Sequence, residues 1–260
     1  MTCTRCADRD GTRFEIPITM AFQPIVDVQA GRIFAQEALV RGTDGAGAGA
    51  ILGAVGAEAR YHFDQTCRVT AIRVASEIGF DADLSINFMP NAVYEPAACI
   101  QKTLQAADRY DFDPRRIIFE FTETEHVRDT AHLSGIVADY KSRGFRTALD
   151  DFGAGYSGLA LLAEIQPDIV KLDRALVTGI DADPVRQEIV RAALSLCRAL
   201  GIAPVVEGVE TEAEVACLIG MGAQHLQGYA LARPAFEAAP GIAEIVWPVA
   251  SPTEAIARSA

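Results

Sequence analysis

Two kinds of hydrophobic pattern alternate along this chain. Short apolar runs close on a polar or charged residue, and stretches with helical spacing separate them. The runs read MAFQPIVD, RIFAQEALVR, LSINF, RIIFEFTE, FRTALDD, DIVKLD, APVVEG and QHLQG. Residues 127–142, 184–199 and 212–221 carry the clearest helical patterning between them. Strand alternating with helix predicts a parallel α/β arrangement. The 260 residues divide into eight units of about 32, the length of one strand–helix repeat of a TIM-like (β/α)8 barrel.

No Pro-, Gly- or Ser-rich linker long enough to separate domains follows Ile16. Residues 1–15 read as a short polar tail, 16–250 as one domain and 251–260 as a second tail. The glycine-rich stretch GTDGAGAGA, residues 42–50, reads as a loop inside that domain.

The polar residues that close the runs are Glu37, Asn87, Glu120, Asp150, Lys171, Glu207 and Gln227. Barrel active sites sit at the carboxyl ends of the strands, so these seven would meet on one rim. Polar residues also simply mark where strands leave a core, but that alone predicts a mixture of Ser, Thr, Asn, Lys and Gly. Four of the seven are carboxylates, which points to a cation. Two carboxylates about 4 Å apart repel by roughly 4 kcal/mol at an effective dielectric near 20. Either their pKa values rise or a cation lies between them. Asp, Glu and Asn oxygens suit hard divalent ions such as magnesium and manganese. Asp150 and Asp151 are adjacent and would face opposite sides of an ideal strand; Gly153 and Gly155 let the chain bend so that both reach the rim. One carboxylate bridging two ions beside a neighbour that holds only the second is a natural two-metal arrangement. Lys171 fits orientation of a water or stabilisation of phosphoryl charge, and Asp173 lies two residues further on the same face.

The formal charge of −12 argues against long nucleic acid as a partner, since that binding rests on Lys and Arg. A small anionic substrate remains open, because bound metal ions carry their own positive charge. No run of 18 apolar residues spans a membrane, and the N-terminal segment lacks a signal-peptide core, so a cytoplasmic protein is expected. Cys67, Cys99, Cys197 and Cys217 fall in helical or buried segments and read as reduced core residues. Cys3 and Cys6 form a lone C-x-x-C, half a zinc site with no second pair at finger spacing. His62, His126, His132 and His225 form no ligand pair at helical spacing.

Several of these strings resemble motifs of the EAL domain family. Glu37-Ala38-Leu39, followed by Val40-Arg41, is the signature that names the family, and AFQPIVD precedes it. LSINF, FEFTET, ALDDFGAGYSGL, DIVKLDR, VVEGVET and LQGYALARP follow in the family's order, so the likeness runs from residue 21 to residue 234. The resemblance implies a TIM-like barrel whose first strand is antiparallel to the rest. It implies hydrolysis of cyclic di-GMP to linear pGpG, lowering a bacterial second messenger. By motif position, Glu37, Asn87, Glu120 and Asp150 would hold one metal. Asp150, Asp151 and Glu207 would hold the other, with Glu207 a ligand, a general base or both. Lys171 would position the attacking water, Arg41 would contact substrate phosphate or guanine, and Gln227 would lie beside the metals. Glu123 would anchor the loop after Asp151, and Asp173 and Glu210 match motif positions as a substrate contact and a loop anchor. The implied cofactors are two Mg2+ or Mn2+ ions, with Ca2+ inhibitory, and the implied assembly is a homodimer.

The match has departures: Ala154 stands where a threonine is usual, Gly158 where a serine is usual, and Met89 where a serine commonly precedes the proline. Pro204 removes a backbone donor three residues before Glu207. None removes an implied metal ligand. A cyclase motif such as GGDEF is missing, so a stand-alone enzyme is expected, regulated through its Cys-bearing tail or by assembly. A catalytically silent module of the same fold is the alternative from another class. A barrel phosphodiesterase acting on lipid head groups is a further one, ranked lower for want of histidines at the strand ends.

Overall fold

A hairpin sets the direction of the first strand. In the computed structural model, which describes residues 14–122, 130–155 and 158–248, strand β1 (Ile18–Asp27) turns directly into β2 (Arg32–Gly42). The Asp27 carboxylate accepts the Gln29 and Ala30 backbone N–H groups at 3.2 and 2.9 Å, and Gly31 supplies a φ of +64°. A turn this short joins only antiparallel strands; parallel neighbours need a crossover. Every later barrel strand follows a crossover: β3 (Asp83–Asn87), β4 (Ile117–Thr122), β5 (Arg146–Phe152), β6 (Ile169–Leu172), β7 (Ala203–Val206) and β8 (His225–Leu226). β2 to β8 pair in parallel, and β1 closes the ring antiparallel to both β2 and β8. The eight-stranded barrel with its reversed first strand is the fold expected from the sequence.

Nine helices among the described residues fill the crossovers. They are α1 (Ala48–Ala54), α2 (Arg60–Ile78), α3 (Pro96–Cys99), α4 (Gln101–Arg109), α5 (Thr130–Ser142), α6 (Gly158–Glu164), α7 (Arg174–Val177), α8 (Pro184–Leu200) and α9 (Glu212–Gly220). The three helices read from periodicity are α5, α8 and α9. Residues 127–129 of the first lie outside the described residues. The glycine-rich loop is shorter than its composition suggests, because α1 already starts at Ala48. A ninth strand, β9 (Ala235–Phe236), was not expected; it adds to the edge of β1. Gln36 donates to the Pro240 carbonyl at 2.8 Å, and Gln23 to the Ala232 carbonyl at 3.2 Å. The C-terminal segment thus covers a hairpin that has no crossover helix of its own. The C-x-x-C tail and residues 249–260 lie outside the described residues.

Inside the ring, alternation builds two layers. Ile25, Ala35, Ile118, Ala148, Ile169 and Val205 form a small apolar cluster apart from the main core. Two residues beyond, on five of these strands, stand Glu37, Glu120, Asp150, Lys171 and Glu207. On the reversed β1 the equivalent step runs backwards, from Ile25 to Gln23, which lies opposite Glu37 in register. A dry floor therefore supports a charged layer.

Candidate active site

Lys171 stands at the centre of that layer. Its side chain is 1% exposed, and its ammonium lies 2.6 Å from Glu207, 2.8 Å from Glu120, 3.1 Å from Asp150 and 3.4 Å from Glu37. A lysine at a strand end is ordinarily solvent-exposed; this one is enclosed by carboxylates. Burial alone would push its pKa down, but Asp150, Glu120, Glu207 and Glu37 hold it well above the usual lysine range.

Each carboxylate is further oriented by a neighbour. Glu120 accepts the Ser85 hydroxyl, and Ser85 lies two residues before Asn87 on the same face of β3. Glu37 accepts the Asn87 amide at 3.1 Å on one oxygen and the Gln227 amide at 2.7 Å on the other. With their N–H groups so directed, the Asn87 and Gln227 carbonyl oxygens are left for other partners; that of Gln227 is buried without a hydrogen bond. Burial, reinforced by Glu37 and Asp150, pushes Glu120 up to about 8 despite Lys171. Burial and Asp150 likewise push Glu207 well above the usual carboxylate range. Burial, Asp150 and Asp173 raise Asp151 to about 6.

Asp151 reaches this group through its backbone. It has a φ of +56°, and the pairing of β5 with β6 slips between Leu149 and Phe152. The irregularity turns two consecutive carboxylates towards one space, as bulges beside active sites do. Glu207 is held by the turn after β7. There Gly208 at φ +67° packs against Arg174, and Thr211 and Glu214 form a capping box that starts α9.

The donor set fits two hard divalent cations. Ligand oxygens of Glu37, Glu120 and Asp150 lie within 4.8 Å of one another, and so do those of Asp150, Asp151 and Glu207. Asp150 belongs to both groups, and its buried Oδ1 faces the Lys171 ammonium at 3.1 Å. Five carboxylates against one ammonium leave four formal negative charges, which two divalent ions would balance. Every donor is oxygen, as magnesium and manganese prefer.

The remaining sequence candidates spread outward. Asp173 caps α7 by accepting the Ala175 N–H at 2.8 Å. It lines a cavity of about 230 Å3 together with Glu37, Glu207, Glu210, Gln227 and Tyr229. Glu210 pairs with Arg174 at 3.0 Å. Arg41 donates to the neighbouring Val40 carbonyl at 2.8 Å, outside the carboxylate cluster. Glu123 lies outside the described residues. A larger cavity of about 610 Å3 is lined by Asn87, Asp150, Asp151 and apolar residues including Leu39, Phe63 and Met89. Ser85 and Gln23 were missed in the sequence; period-two spacing from Asn87 and Ile25 is the signal that could have found them.

Fold and site together define a barrel protein with an acidic, oxygen-rich cluster, of a kind that could hold cations, at the carboxyl ends of its strands. Residues 17–234 match the EAL domain, and the chain belongs to that family. It is similar to a stand-alone EAL protein of Vibrio cholerae O395 solved with c-di-GMP bound, at 50% identity and a TM-score of 0.85, over 88% of this chain and 96% of that one. It is 31% identical over 230 residues to the blue light- and temperature-regulated antirepressor BluF of Escherichia coli, covering 88% of this chain and 56% of the relative. It is 32% identical over 162 residues to the cyclic di-GMP phosphodiesterase RocR of Pseudomonas aeruginosa, covering 62% and 41%. The chain thus spans about half the length of these curated relatives. Among the described residues, no helix is long and apolar enough to cross a membrane.

Proposed function

We propose that this protein hydrolyses cyclic di-GMP to linear pGpG with two bound Mg2+ or Mn2+ ions. The observation that carries the reading is the paired acid set sharing Asp150. Glu37, Asn87, Glu120 and Asp150 would hold one ion, and Asp150, Asp151 and Glu207 the other. When bound, the ions supply charge neutralisation at the phosphate and acidify a water. Lys171, fixed among four carboxylates, orients the attacking water towards phosphorus. Glu207, ionised and beside the Lys171 ammonium at 2.6 Å, suits the transfer of that water's proton. The water oxygen adds to phosphorus, one bridging ester bond breaks, and the sugar oxygen leaves as a hydroxyl. Arg41 and Asp173 contact substrate, Gln227 orients Glu37, and Glu123 and Glu210 anchor the surrounding loops. The protein works in the cytoplasm as a homodimer.

The antirepressor among the relatives favours one second reading, a module that binds without turnover. Purified protein with cyclic di-GMP and Mn2+ decides between them. Linear pGpG from the wild type and almost none from Glu37→Ala is expected. Full activity in Glu37→Ala rejects the ligand assignment, and tight binding without conversion establishes the silent module. Ca2+ should inhibit, since its looser and larger coordination replaces an octahedral fit.

A further inference from the structure

We propose that the buried pair Asp64–Arg68 on α2 is a positioning device for Asn87. The inference rests on the reading of Asn87 as a cation ligand.

Asn87 ends β3 and is exposed, so packing alone does not hold its carboxamide. The chain that follows it is gripped instead. The Phe88 N–H donates to the Glu120 carbonyl at 2.9 Å. The Met89 N–H, one residue further, donates to Asp64 Oδ1 at 2.9 Å. Asp64 is in turn paired with Arg68 at 2.7 Å, and the two side chains are 1% and 0% exposed. Arg68 donates to the Tyr140 hydroxyl at 2.9 Å and lies 5.3 Å from the Phe88 ring centre and 5.2 Å from that of Phe119. Helices α2 and α5 thus converge on the segment that follows Asn87.

Stability gives little reason to keep such a pair. Taking two charges out of water costs several kcal/mol per ion, and well-packed apolar replacements are often neutral or better. What the apolar replacement cannot supply is an acceptor for the Met89 N–H. That acceptor fixes the exit angle of the chain at a residue two positions from a ligand. Partners that orient ligands typically change metal affinity roughly 10- to 100-fold when removed.

Two triple variants isolate the acceptor. Asp64→Asn/Arg68→Met/Tyr140→Phe removes the charges but keeps an oxygen facing Met89. Asp64→Leu/Arg68→Met/Tyr140→Phe removes the oxygen as well. Folding is checked by thermal unfolding, and Mn2+ affinity is measured by calorimetry without substrate. The asparagine triple should bind Mn2+ within about threefold of wild type, and the leucine triple about 10-fold or more weakly. Equal affinities in the two triples, whether both kept or both weakened, overturn the proposal. Should the leucine triple fail to fold, Asp64→Asn/Arg68→Met against Asp64→Ala/Arg68→Met poses the same question. Asn87→Ala is measured alongside. If it leaves Mn2+ affinity unchanged, the ligand assignment fails; if it weakens binding while the paired variants agree, only the positioning role fails.

Discussion

Asp150 and Asp151 are consecutive in the chain, yet their carboxylates converge with Glu207 on one space, because Asp151 adopts a φ of +56°. An extended strand would send the two side chains to opposite faces. A non-glycine residue in the left-handed region costs about 1 kcal/mol or more, and such strain gathers at functional sites. Here it delivers a second acid to the rim from a single strand.

Asp151→Gly should therefore separate stability from function. The glycine relieves the backbone and removes one of several repelling carboxylates. Metal-free protein should unfold at a higher temperature, by the equivalent of about 1 kcal/mol, while Mn2+-dependent turnover is nearly lost. Asp151→Asn keeps a residue that tolerates the left-handed region but removes the charge, so comparison of the two divides backbone strain from repulsion. Thermal unfolding in EDTA and turnover with Mn2+ are the measurements. A fall in the unfolding temperature of Asp151→Gly would refute the account of strain.

Lys171→Met removes the one ammonium that offsets Glu37, Glu120, Asp150 and Glu207. Breaking a buried ion pair from one side typically costs about 3–5 kcal/mol. In EDTA the variant should lose stability on that scale. With saturating Mn2+ most of the loss should return, because bound cations replace the missing charge. Turnover should stay low even then, since water orientation is not restored. Equal destabilisation with and without Mn2+ would show that Lys171 acts by packing alone.

The charged layer was legible in the sequence because period two is a strong signal. Ala35 and Glu37, Ile118 and Glu120, Ala148 and Asp150, Ile169 and Lys171, and Val205 and Glu207 each step from an apolar floor to a polar rim. The reversed β1 was legible only through the family likeness, although its tight turn explains it. The contacts of Lys171 with four carboxylates were not readable, since they join residues from five separate strands. Asp64 and Arg68 sit on a helix whose spacing is equally that of an exposed ion pair. Only the packing of Phe88, Phe119 and Tyr140 around them reveals a buried one.

Gly208 is a further position where space decides. Its φ is +67°, and a Cβ there would lie 2.5 Å from both Cβ and Cγ of Arg174. Gly208→Ala should displace α7 or the Glu207 turn. A loss of about 1–3 kcal/mol in stability is expected, with lower turnover at saturating Mn2+. Gly53→Ala, on an open face of α1 where a Cβ meets nothing within 4 Å, is the matched control and should do neither. Unaltered stability in Gly208→Ala would mean that the Arg174 side chain yields freely.

The raised carboxyl groups make cation binding dependent on pH. Glu120 titrates at about 8 in the folded, metal-free protein against an ordinary value of 4.5, and Asp151 at about 6 against 3.8. A folded pKa above the unfolded one means that the folded state holds a proton the unfolded chain has already released. The stability that proton confers is complete below the unfolded value and fades as pH rises through the folded one. Metal-free protein should therefore lose stability from these groups between about pH 4 and pH 8. Mn2+ binding runs the opposite way, because the ligands must shed their protons to bind it. Its affinity should rise with pH by up to tenfold per unit for each ligand proton shed: Glu120 gives one up between pH 6 and 8, Glu207, also held well above the usual carboxylate range, adds to the slope, and Asp151 adds a further one below pH 6. The thermal shift produced by Mn2+ should accordingly widen from pH 6 to pH 8. Calorimetry in buffers of different ionisation enthalpy reads the protons released directly. Mn2+ affinity that stays flat from pH 6 to pH 8, with no proton release, would show that Glu120 is already ionised without metal and that repulsion within the acid layer is relieved in some other way.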